Sequence, residues 1–156
     1  MKRLTSFIIV SGLLAAPAFA APKITEQTKT YPVSATTATG LKAEMERRGP
    51  KGFWAYTSWN IRWTAGCAVR VKVVYTLPKH KNPSAMSPAV RKAFDAMLAA
   101  LVDHEKQHGA NGINAAREID RAGCNGGQRI IRKYNKADRD LDRRTNHGAK
   151  TGVILR

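Results

Sequence analysis

Acidic side chains are scarce in this sequence: 11 Asp and Glu stand against 27 Lys and Arg, a formal charge of +16. Cysteine is scarcer still, with Cys67 and Cys124 alone, and there are only four histidines. Each shortage closes off a class of protein. With no close cysteine pair, a cysteine-based zinc knuckle or ribbon is excluded. With no such knuckle and no RNP-like strand, the basic excess does not amount to a sequence-specific nucleic-acid module. The one long apolar run, FIIVSGLLAAPAFA, is short for a membrane span and lacks a stop-transfer flank. No internal repeat and no linker-like stretch divides the chain, so one domain is expected.

That apolar run follows Lys2 and Arg3 and ends in Ala18-Phe19-Ala20, the small-x-small pattern of a signal-peptide cleavage site. Residues 1–20 therefore read as a signal peptide and 21–156 as an exported domain, secreted or periplasmic, with no transmembrane segment in the mature chain. Removing Lys2 and Arg3 takes the charge from +16 to +14. Such an excess favours an anionic envelope surface, either membrane or acidic wall polymer. Two cysteines in an exported chain are expected to form one disulfide, Cys67–Cys124.

Local patterns outline an α+β domain. A short strand is expected around residues 28–34, edged by Pro32, and then a helix over LKAEMERR stopped by Gly49-Pro50. Ala55, Thr57, Trp59, Ile61 and Trp63 alternate with more polar residues, and Val69, Val71 and Val73 resume the period beyond Ala65-Gly66. Those segments read as two antiparallel strands with one face buried. The tryptophans at 54, 59 and 63 are expected in sheet packing, and His80 in a surface loop. Ser87 as N-cap and Pro88 at the first helical position open a helix carrying Val90, Phe94, Met97, Leu98 and Leu101 on one stripe. GANGINAAREIDRAG and RIIRKYNKADRDLDRR add two further helical segments, with Asn125-Gly126-Gly127 between them.

His104 and His108 continue the apolar stripe of the Ser87-capped helix, so both point inward or into a cleft. They belong to DHEKQHG and fit the pattern His-Glu-x-x-His. Two imidazoles four residues apart project from one helical face and can bind one zinc ion. Glu105 need not ligate and is free to take a proton from an attacking water. Three fixed residues would match by chance in about 2% of sequences this long, so the helical setting matters as much as the motif. The residues leave the third ligand open among His147, Glu118, Asp120, Asp138 and Asp142. Glu118 could reach the pair only if Gly109 or Gly112 broke the helix, since ten helical residues span about 15 Å.

The stretches HEKQHG, GPKGFWAYTSWNIRW and DRRTNHG, with Cys67, resemble a bacterial family of otherwise unknown function described as predicted secreted zinc-dependent proteases. The resemblance implies His104 and His108 as ligands, Glu105 as general base and His147 as third ligand. Asp142 is expected to steady a ligating histidine through its outer nitrogen. Tyr134, Arg143 or Arg144 are candidates to stabilise an oxyanion. The expectation is a small zincin-like metalloprotease domain, its antiparallel or mixed sheet packed on the histidine helix. Its substrate would be a polypeptide or a cell-wall peptide. The alternatives are a peptidoglycan peptide amidase and a non-enzymatic, zinc-stabilised envelope-binding module.

Overall fold

The structure, a computed structural model, describes residues 21–156. The expected signal peptide lies outside them. Three strands, β1 (Lys23–Val33), β2 (Tyr56–Trp63) and β3 (Val69–His80), form one mixed sheet in the order β1-β3-β2. β2 and β3 are antiparallel, as the alternating pattern implied, whereas β1 joins β3 in parallel. Helix α1 (Ala38–Arg48) follows β1, and α2 (Pro88–Arg121) and α3 (Gly127–Thr145) complete the long elements among the described residues. Among the described residues, no helix is long and apolar enough to cross a membrane.

β1 starts five residues earlier than the sequence pattern suggested. Its pairing runs from Lys23 opposite Arg70 to Val33 opposite His80, yet residues 23–30 are exposed. Ladder hydrogen bonds hold this part of the strand rather than burial, so its apolar signal is weak. Thr37 caps α1 by accepting from the Gly40 amide, and Leu41 and Met45, one turn apart, are fully buried. Ser87 caps α2 through the Val90 amide with Pro88 at its start. His80 is not a surface residue. It is buried, with Nε2 3.0 Å from the Ala35 carbonyl oxygen and Nδ1 accepting from the Asn82 amide, and it ties β3 to the segment after β1.

The largest departure is at α2. Two helical segments were expected, with a possible break at Gly109 or Gly112, but the helix runs unbroken for 34 residues. Both glycines are buried, and they serve close packing rather than termination. A Cβ on Gly109 would stand 2.8 Å from the Tyr75 ring, and one on Gly112 2.7 Å from Trp59 Cβ. The helix backbone therefore lies almost directly on the sheet.

Two apolar clusters flank this contact. One joins Val33, Leu41, Met45, Phe94, Met97 and Leu101; the other joins Ile61, Val71, Val73, Ala115, Ala116 and Ile119. The Cys67–Cys124 disulfide fastens the β2–β3 turn to the α2–α3 turn, closing a sequence separation of 57 residues. Replacing both cysteines with alanine is expected to cost about 2–4 kcal/mol in urea unfolding, because the crosslink restricts a long loop of the unfolded chain. Gly112→Ala is expected to destabilise by about 1–3 kcal/mol through overpacking against Trp59, read from the same unfolding curves.

Candidate metal centre

α3 runs back along α2 and brings two i,i+4 pairs face to face. Asp142 and Asp138 on α3 meet His104 and His108 on α2. The Nε2 atoms of the two histidines are 3.2 Å apart, and Asp142 Oδ1 stands 3.2 Å from one and 3.1 Å from the other. These three side chains form a group that could hold a metal ion. Tetrahedral ligands on zinc at 2.0–2.1 Å would be separated by about 3.3 Å, close to the spacing found. The donor set is also two imidazoles and a carboxylate, chemistry suited to a borderline divalent ion. His104 Nδ1 is buried without a hydrogen-bond partner among the described residues, so its ring is held by packing and by whatever meets Nε2.

Asp138, rather than Asp142, meets the outer nitrogen of a histidine. Its Oδ1 lies 3.0 Å from His108 Nδ1 and accepts from Asn111 Nδ2 at 2.7 Å. Its Oδ2 accepts from the Trp59 indole at 2.8 Å. A carboxylate on the outer nitrogen fixes the tautomer that directs Nε2 inward. Trp59 thus packs on Gly112 and also orients a carboxylate beside the site. The signal for Asp138 was present in the sequence: acids at 138 and 142 share the four-residue spacing of the histidines.

The surroundings polarise these groups differently. Burial, with His108 alongside, lowers the pKa of His104. Burial also opposes charge on His108, but its hydrogen bond to Asp138 and the nearby Asp142 charge outweigh it and raise the pKa. Glu105 is buried, and desolvation raises its pKa against the lowering effect of the Thr57 hydrogen bond. The Thr57 hydroxyl is 2.6 Å from Glu105 Oε2 and 3.1 Å from the Glu105 carbonyl oxygen.

His147 stands beside this group rather than within the three-residue cluster. Its Nδ1 is 3.7 Å from Asp142 Oδ1, its side chain is 59% exposed, and its ring lies 5.6 Å from that of Phe53. The TNHG turn is shaped around it. Thr145 Oγ1 accepts from the Gly148 amide, and Gly148 has a positive φ that leaves its backbone against the His104 ring.

A cavity of about 420 Å³ opens over the cluster, lined by Thr57, Glu105, Arg139, His147, Trp54 and Val153 among others. None of the three residues suggested for an oxyanion lines it. Tyr134 lies on the same side of α3 as Asp138 but one turn farther from the cavity, and its hydroxyl donates to Glu118. Arg143 pairs with Asp140 and Arg144 is exposed. Glu118 is engaged by Tyr134 and Lys133, away from the histidines, and Asp120 is buried near the end of α2. Arg139 is the arginine that reaches the cavity.

Residues 28–148 match the model of a family described as bacterial protein of unknown function (DUF922). The chain belongs to this family. The description assigns it no activity, so the protease part of the resemblance stands on the site alone. No curated protein and no solved structure matches the chain. Asp138→Ala is expected to weaken zinc affinity about 10–100-fold, measured by competition with a chromophoric chelator.

Proposed function

We propose that this family member is an exported zinc-dependent peptidase. The observation that carries the reading is the convergence of His104, His108 and Asp142 next to Glu105 in one cavity. In this reading His104 and His108 supply two nitrogen ligands and Asp142 the third donor. His147, the ligand suggested by the family resemblance, is assigned instead to the cavity mouth. An ion held there supplies Lewis acidity toward a carbonyl oxygen and acidifies a water molecule.

The protein's own groups account for the remaining chemistry. Thr57 pins Glu105 Oε2, and Oε1 has no hydrogen-bond partner among the described residues. The Oε1 atom takes a proton from the attacking water and returns it to the departing amine nitrogen. Arg139 and His147 border the cavity and can donate to an oxygen that gains negative charge.

The sheet offers a binding mode for an extended chain. Among the described residues β2 pairs only with β3, which leaves its other edge without a strand, and Ala55, Tyr56 and Thr57 border the cavity. A peptide can add to that edge through main-chain hydrogen bonds, which places a carbonyl near Glu105. Both a polypeptide and a cell-wall peptide satisfy this geometry.

Glu105→Gln is expected to lower kcat/KM about 10²–10⁴-fold on a peptide library while zinc remains stoichiometric. Equal turnover by the variant, or no Glu105-dependent cleavage of protein or wall peptides, would defeat the peptidase reading and leave a zinc-stabilised binding module. For the ligand set, Asp142→Ala is expected to cost more zinc affinity than His147→Ala. The reverse order would return the third position to His147.

A further inference from the structure

We propose that the exposed, cation-bearing part of the sheet's second face docks the protein on an anionic lipid bilayer. This face is exposed from Lys23 to Lys29 and is buried only at its Val33–His80 end, by the first apolar cluster. Thr57, Trp59 and Trp63 of β2 and Tyr75 of β3 meet Glu105, Gly112, Gly127 and Gly109, so their face is covered by α2 and α3. Side chains alternate along a strand, so Arg62, Arg70 and Lys72 project from the other face. Paired residues share a face, which places Lys23 and Lys29 there too, opposite Arg70 and Thr76.

The register aligns these charges. Lys23 pairs with Arg70 and Arg70 with Arg62, so one row across all three strands consists of three cations. The next outward row is Thr25, Lys72 and Asn60. All five cations are exposed, and none makes an ion pair among the described residues. The one acid of β1, Glu26, is turned to the helix side and accepts from Tyr75. Like charges placed directly opposite destabilise a sheet, and an external anionic surface removes that cost.

The form of the face selects the partner. Its cations spread over three strands in a broad sheet, and none of them lines the cavity over the metal centre. Apart from Tyr31 and Tyr56 at one end, its described residues offer no aromatic platform on which bases or sugars stack. Lys and Arg side chains rising from a broad sheet instead match a plane of anionic headgroups. Bound in this way, the protein keeps its metal-site face turned toward solvent.

The test is sedimentation of the full chain with vesicles of phosphatidylglycerol and phosphatidylcholine, against phosphatidylcholine alone. Residues 1–20 are common to every arm and cancel in the comparison. Binding is expected only to the anionic vesicles and to fall as sodium chloride is raised. The variant Lys23→Gln/Arg62→Gln/Arg70→Gln is expected to lose about 100-fold in partitioning, roughly fivefold per charge removed. A control, Lys92→Gln/Arg117→Gln/Arg132→Gln, removes equal charge from exposed helix positions and is expected to lose far less. Equal loss in both variants would reduce the effect to net charge and overturn the proposal. So would absence of vesicle binding, or binding to double-stranded DNA with none to vesicles.

Discussion

The close approach of α2 to the sheet is the constraint on which the rest of the structure depends. Gly109 and Gly112 let the helix backbone settle against Tyr75 and Trp59. That contact brings Glu105 within reach of Thr57 and directs His104 and His108 toward α3. A helix held a side chain's width farther out would separate each of these pairs. The disulfide at the far end then limits how α2 and α3 can shift relative to the β2–β3 turn. The apolar clusters on either side supply the burial, while the glycines decide the distance.

Electrostatically, the cluster is costly by itself. Two imidazole nitrogens and a carboxylate oxygen meet at 3.1–3.2 Å, and His104 is almost wholly buried. Packing polar atoms this closely away from water is unfavourable unless something satisfies them. The opposed pKa shifts of the two histidines express the conflict: one imidazole is pushed toward neutrality and its neighbour is drawn toward charge. A divalent cation placed among them would resolve it, because the three ligand atoms lie close enough together to share one ion. Asp138, steadied by Trp59 and Asn111, holds the His108 ring in the orientation that makes this possible.

How far the sequence could be read depended on how local each signal was. The Ser87-Pro88 start of α2, the β2 and β3 alternation and the four-residue histidine spacing are local, and all appear in the fold. The cysteine pairing was also accessible, since only one pair could form. The continuity of α2 was not, because Gly109 and Gly112 read as breakers until their partners Tyr75 and Trp59 are known. The separate positions of Asp138, Asp142 and His147 around the histidines depend on the antiparallel alignment of α3 with α2, which no local pattern specifies. His80 misled for the same reason: its partners, Ala35 and Phe94, are distant in sequence.

The most direct test of the central claim is a crystal structure of the zinc-loaded protein, with the ion located by anomalous scattering at the zinc edge. The account predicts a single ion bound by His104 Nε2, His108 Nε2 and Asp142 Oδ1, with Glu105 beside it and not ligating. An ion bound elsewhere, or one coordinated by the two histidines without Asp142, would contradict it.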